Sequence, residues 1–249
     1  VKKYLILGLI LIGFTSMAAQ IVLMRELMVV FYGNELSLGI TLAGWLFWVA
    51  MGSWGIGRFF VERIRNKLAF FAFGELLLAL FLPLSIFAAR AIPVILKTSP
   101  GEIIGLFPMI YSSLGVLVPT CLLLGFLFIL GCRIYSPKSG EGAEQIGYVY
   151  VFEAIGATSG GLLSGLLLIR LLQPLYIMFG IGLFNLGVAF SLAWFVEERK
   201  SLLLVPTFVL ILVSVSLFAT GKVGDLRQAS LDLRWGAYHL LTSQNSIYG

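Results

Sequence analysis

The side chains best placed to do chemistry in this chain are ionisable or amide groups set within long apolar runs. Glu75 stands eight residues into the run Leu68–Ala89, Glu153 seven into Gly147–Ile169, and Asn185 midway along Leu175–Val196. Gln20, Arg25 and Glu26 close the first run, and Glu35 opens the second. An ionisable group in hydrocarbon costs free energy unless it is paired, so each is a candidate for function. Three readings are open. Arg25 pairs with Glu26, Glu35 or Glu153 as interhelical glue; or the set lines a polar pocket for a cationic or amphipathic solute, with Glu75 and Glu153 as counter-charges; or the charged groups snorkel to the interface. Glu153 precedes Gly156 and Ala157 by three and four residues, a spacing that puts all three on one helix face, turned into the bundle.

Other catalytic chemistry finds little support in the residues. His239 is the single histidine and stands in the C-terminal tail, where a surface position suits it better than catalysis. Cys121 and Cys132 share one apolar run eleven residues apart. On a helix that spacing separates them by about 16 Å at ~1.5 Å per residue, beyond the ~7 Å a disulfide spans. Neither has a CxxC partner or a nearby histidine, so no metal site is expected. No HExxH, glycine-rich phosphate loop or Ser/His/Asp set is present, so neither a catalytic core nor a bound cofactor is expected within this chain.

The elements that must position these groups are membrane helices. Hydrophobic residues make up 59% of the 249 and charged residues 12%, with a mean hydropathy of +1.01. A soluble domain carries about 25% charged residues, so lipid must cover most of this surface. A spanning helix needs about 20 apolar residues. The runs that qualify are Tyr4–Met24, Leu36–Ile56, Leu68–Ala89, Ile103–Gly131, Gly147–Ile169, Leu175–Val196 and Ser201–Thr220. The expected fold is therefore an all-α integral membrane protein, a polytopic bundle of about seven helices over 1–220, with a short extramembrane tail over 221–249. The first run follows Lys2 and Lys3 but offers no small-residue cleavage site, so it reads as a retained helix. The fourth is too long for one straight span, and Pro108 or Pro119 is expected to break or kink it, with an eighth, re-entrant piece near Pro108 as one outcome. The formal charge of +5 is spread over short loops rather than gathered in a patch, which argues against nucleic acid. With the N-terminus inside, ten Lys and Arg fall on the inner side and seven (Arg25, Arg90, Lys97, Arg170, Lys222, Arg227, Arg234) on the outer, a weak preference for that orientation.

Glycines mark where helices meet. Gly156/Gly160 and Gly161/Gly165 are small-xxx-small pairs that let two backbones approach closely in lipid, and Gly52, Ser53, Gly55 and Gly57 do the same near the end of the second span. Packing within the chain is the plainer reading; a homodimer seam is the alternative.

Several segments together resemble the opening of membrane-bound spermidine synthase-like proteins. They are Thr15-Ser-Met-Ala-Ala-Gln-Ile-Val-Leu-Met-Arg-Glu-Leu27, Phe31-Tyr-Gly-Asn-Glu-Leu-Ser37, Gly52-Ser-Trp-Gly-Ile-Gly-Arg58, Pro119-Thr-Cys-Leu-Leu-Leu-Gly-Phe126 and Gly147-Tyr-Val-Tyr-Val-Phe-Glu-Ala-Ile-Gly-Ala-Thr-Ser-Gly-Gly161. Glu153 departs from the asparagine common at that place in the family. In the tail, Leu241–Gly249 resembles the lead-in to a first β-hairpin, and the alternation from Asp232 reads as the approach to a strand. These bacterial proteins join a transporter-like helix bundle to an aminopropyltransferase domain. The resemblance implies a bundle in the bacterial inner membrane that anchors such a domain, fused or separate, and passes it substrate or product. It assigns no catalytic residue here. An autonomous small-solute or polyamine transporter and a structural helper subunit are the rival readings.

Overall fold

The computed structural model describes residues 2–99, 101–136, 142–196 and 200–235. Among them every regular element is helical and no strand occurs. Lipid offers the backbone no hydrogen-bond partners, so a long apolar run must satisfy its own N–H and C=O groups as a helix. Seven helices are long and apolar enough to cross a membrane. We label them α1 (Lys2–Val30), α2 (Glu35–Gly57), α3 (Lys67–Leu96), α4 (Leu106–Tyr135), α5 (Glu144–Leu171), α6 (Pro174–Ala193) and α7 (Leu202–Ala219). An eighth, α8 (Lys222–Trp235), is polar and follows α7 after a turn at Gly221. The protein is an all-α polytopic membrane bundle.

Local chemistry sets the helix ends. Tyr32 and Gly33 take left-handed backbone (φ 54° and 76°) and stop α1. Asn34 then caps α2 by accepting from the Leu36 N–H at 3.0 Å, and Asn66 caps α3 by accepting from Ala69 N–H at 3.1 Å. Pro174 opens α6 at a position where no N–H is needed. The fourth span needs a correction. Pro108 lies in the first turn of α4, where proline is tolerated, and the helix runs unbroken through Pro119 to Tyr135. No re-entrant piece forms there. At about 45 Å, its 30 residues exceed a hydrocarbon core of about 30 Å, so the helix extends into the interface or tilts.

The two faces of the bundle are fixed by contacts at the helix ends. Lys2 Nζ sits over the Tyr135 ring at 4.8 Å, Tyr4 packs on Phe195, and Arg133 pairs with Glu62 at 2.9 Å. These place the start of α1 beside the ends of α2, α4 and α6. On the other face Arg90 reaches both Glu26 and Ser230, and the Gly101 N–H donates to Tyr32 Oη at 2.9 Å. The chain therefore alternates through seven crossings, and α8 lies opposite the N-terminus.

α1 is the central helix. Ala18, Ala19, Val22, Leu23 and Leu27 are all fully buried, and α1 touches α2, α3, α4, α5 and α6. Its tightest seam is with α5. A Cβ on Gly156 would overlap the Ile10 carbonyl, one on Gly160 the Phe14 carbonyl, and one on Gly13 the Glu153 carbonyl. A second seam joins α2 to α4, with Gly52 against Leu122 and Gly125 against Val49; Gly57 rests on the Ile129 side chain. Packing within the chain thus accounts for Gly52, Gly57, Gly156 and Gly160. Gly161 meets only the Met17 side chain, and Gly165 has open space around it. α7 is peripheral and turns Leu202, Val205, Phe208, Val209 and Leu212 outward to lipid.

The tail also differs from its expected form. From Lys222 to Trp235 the chain is helical and packs on α3, α6 and α7, so the stretch expected from Asp232 to approach a strand is helical over its four described residues. The hairpin lead-in at Leu241–Gly249 and His239 lie outside the described residues.

Candidate functional site

The seven polar residues singled out in the sequence do not gather in one pocket. They fall into a cavity, an ion-paired latch, an amide pair and an isolated acid, with Gln20 and Glu35 apart from all four.

The cavity lies between α1, α2, α4 and α5 and has a volume of about 290 Å³. Its polar lining is Ser16, Ser53, Tyr150 and Glu153, and Ile12, Leu124 and Phe128 supply much of the apolar wall. The α1–α5 glycine seam aims Glu153 here: the close approach at Gly13 sets the azimuth of α5 and leaves the side chain between α1 and α4. Ser53 belongs to a π-helical stretch, Met51–Gly57, whose wider turn bulges the end of α2, and its hydroxyl donates to the Ala50 carbonyl at 3.1 Å. Tyr150 stacks edge-on against Phe128 with ring centroids 4.9 Å apart. Among the described residues Glu153 has no ion pair. A half-buried carboxylate that shares a cleft with two serine hydroxyls and the rings of Tyr150 and Phe128 suits a cationic group.

The latch is on the opposite side from the N-terminus. Arg90 donates from Nε to Glu26 Oε2 at 2.9 Å and from Nη2 to Glu26 Oε1 at 3.0 Å, a bidentate pair with side chains 6% and 9% exposed. The third donor, Nη1, goes to Ser230 Oγ on α8 at 2.7 Å. Ser230 Oγ in turn donates to the Arg227 carbonyl, which fixes its lone pairs toward Arg90. Four residues on, Arg234 donates to the Val29 carbonyl at the end of α1 at 2.7 Å. Burial pushes the Arg234 guanidinium below its ordinary pKa, and the nearby Glu26 charge opposes that fall. Glu26, Glu35 and Glu153 were the partners expected for Arg25; Glu26 holds Arg90 as well, because α3 does not end at Ala89 but runs on to Leu96, carrying the guanidinium across to α1. Arg25 is itself buried beside the pair.

Asn185 and Thr15 form the amide pair between α6 and α1. Asn185 Nδ2 donates to Thr15 Oγ1 at 3.0 Å and to the Ile181 carbonyl at 2.8 Å, and Thr15 Oγ1 donates back to Asn185 Oδ1 at 3.4 Å. Glu75 on α3 is fully buried, and neither of its carboxyl oxygens has a hydrogen-bond partner among the described residues. Gln20 is half-buried on α1, and Glu35 is exposed in the first turn of α2. The residues missed in the sequence were Thr15, Arg90, Ser230 and Arg234. Arg90 carried a signal, since it interrupts an apolar run that resumes at Ala91.

Among the described residues no group of three or more His, Cys, Asp or Glu is arranged to hold a metal. Fold and site define a membrane helix bundle with a half-open acidic cleft. Comparison with family models, curated proteins and solved structures returns no match.

Proposed function

We propose that this chain is the membrane-embedded domain of a spermidine synthase-like protein of a bacterial inner membrane, and that its cavity receives an amine-bearing solute at Glu153. The observation that carries the reading is a carboxylate with no ion pair among the described residues, lining a cavity of about 290 Å³. That volume is near the lower end of small-molecule sites, roughly 300–1,000 Å³, and suits a short aliphatic amine. The sequence resemblance supplies the second support. Aminopropyl transfer on this reading belongs to a partner domain, fused or separate, and the bundle anchors it and exchanges solute with it.

The test is direct. The chain in lipid nanodiscs, titrated calorimetrically with a linear diamine, should bind it, and Glu153→Gln should weaken binding at least tenfold, about 1.4 kcal/mol. Equal affinity in the two proteins would remove Glu153 from the site, and no heat from either would end the amine reading.

One observation favours an autonomous transporter as a second reading. Arg25, Arg90 and Arg234 belong to the interior or the latch, so they are not loop charges. Leaving them out turns the ten-to-seven balance into ten to four, with Lys97, Arg170, Lys222 and Arg227 remaining on the α8 side. The positive-inside rule then favours an inner N-terminus and an outer α8, the wrong side for a cytoplasmic S-adenosyl-dependent enzyme. Uptake of labelled diamine into proteoliposomes of this chain alone would support that reading, and binding without uptake would support the anchoring one.

A further inference from the structure

Glu75 is not part of the cavity just described, and its surroundings have a different logic. α1, α3 and α6 meet where Gly8 faces the Phe71 ring and Val188. Farther along, α3 and α6 touch again where Gly182 faces the Ala79 backbone. Glu75 lies midway between Phe71 and Ala79, and Asn185 midway between Gly182 and Val188. The carboxyl group is therefore at the height of the Asn185–Thr15 pair, inside a three-helix junction, yet bonded to neither.

The charged groups on the packed elements stand well away from this level. α6 carries only Tyr176, in its first turn; α1 carries Lys2, Lys3 and Tyr4 at one end and Arg25 and Glu26 at the other. On α4, Leu127 faces Gly74, while Cys121 and Cys132 are about 9 and 7 Å away along the axis and Tyr111, Arg133 and Tyr135 are farther. α7 meets the junction through Leu210 and Ile211, with Lys200 ahead of its first turn; α3 itself carries Lys67 in its first turn and Arg90 in the latch, and α8 follows on that same far side. Among the described residues a carboxylate here would have no cation, and an unpaired buried charge is strongly unfavourable.

We infer that Glu75 is an exchangeable proton site whose occupancy sets how α3 packs on α6. With its proton, the group is a neutral acid that fits the closed junction. On ionisation the O–H bond breaks, the electron pair stays on the carboxylate and the proton passes to water; no other bond changes. The carboxylate then needs donors, and the junction offers Asn185 Nδ2 and the Thr15 hydroxyl at its own height. Both are committed, one to the Ile181 carbonyl and each to the other. Recruiting Asn185 breaks its side-chain bonds to Thr15 and to the Ile181 carbonyl one turn away in α6, beside the place where Gly182 is pressed against α3. The junction thus has two arrangements, selected by one proton, which is the form a proton-coupled membrane device takes.

The experiment uses the full chain in bilayers. Infrared spectra with carboxyl-labelled glutamate should show a protonated carboxyl band at neutral pH that is missing from Glu75→Gln and displaced, not lost, in Glu75→Asp. Spin labels at the exposed positions Leu84 on α3 and Phe184 on α6 should report a change in separation over the same alkaline range in which the band fades. Glu75→Gln should hold one separation throughout. Asn185→Leu removes the donor that would stabilise the carboxylate, so it should move the midpoint to higher pH. No protonated band at neutral pH would overturn the proposal. So would a band that fades with no change in separation, one that never fades while the protein stays folded, or an equal change in Glu75→Gln. The solute titration of Glu153→Gln is independent of all these readouts, so either proposal can fail alone.

Discussion

Replacing Glu26 with alanine will destabilise the bundle by about 3–5 kcal/mol, the range seen when one member of a buried ion pair is removed. The loss is not chiefly that of an attraction. Arg90 is left as a buried cation whose Nε and Nη2 have no acceptor, and that uncompensated charge is what costs. The corresponding double replacement, Glu26→Leu with Arg90→Met, should recover most of the stability, because two apolar side chains leave nothing unsatisfied. It should not restore α8. Ser230 loses its donor in that protein, so hydrogen exchange over Lys222–Trp235 will stay fast while global unfolding returns toward the parent value. If exchange over α8 recovers together with stability, α8 is held by its apolar contacts at Val223 and Leu226 rather than by Arg90.

The second large effect belongs to the α1–α5 seam. Gly156→Leu places a side chain where the Ile10 carbonyl lies, and the obstruction is backbone, so no rotamer change relieves it. The helices must separate along a length that includes Gly13 and Gly160. Overpacking of a close-packed interior typically costs about 1–3 kcal/mol, and with three consecutive contacts disturbed the expected loss is at the upper end. Gly165→Leu, on the same helix two turns beyond, has open space around it and should change stability by less than ~0.5 kcal/mol. Unfolding measured by steric trapping or by heat in a mild detergent would compare the two. Equal losses would mean that apolar bulk anywhere on α5 is harmful and that the seam is not the cause. Because Glu153 is aimed by the same seam, Gly156→Leu should also abolish the diamine heat expected for the parent.

Much of the architecture was readable from hydropathy because lipid imposes the same demand on every residue of a span. The expected runs overlap α1 to α7, with errors of a few residues at the ends. Those errors had consequences. Ending the third run at Ala89 put Arg90 in a loop, and so hid the partner of Glu26. Hydropathy measures how long an apolar run is but not which way each side chain points, and azimuth is what separates Glu153, lining a cavity, from Glu75, sealed in a junction. The glycine pattern did contain azimuthal information, since Gly156 and Gly160 form one side of the α1–α5 seam. Its other side, Gly13 with the Ile10 and Phe14 carbonyls, has no sequence signature, since a carbonyl is common to every residue. α8 was legible in principle. Val223, Leu226 and Ser230 recur at helical spacing and are the residues turned inward. The resemblance to a strand-forming lead-in further along drew the reading toward alternation instead.

The central position of α1 has a consequence for biogenesis. Of the six spans that meet in the bundle, α1 leaves the ribosome before the five assembled on it, so the hub enters the membrane before those neighbours exist. Its groove at Gly13 must wait for Glu153, 140 residues later in the chain. At roughly 5–20 residues per second of synthesis that interval is about 7–28 s. Through it, α1 has to keep Arg25, Glu26 and Thr15 from settling with the wrong helix.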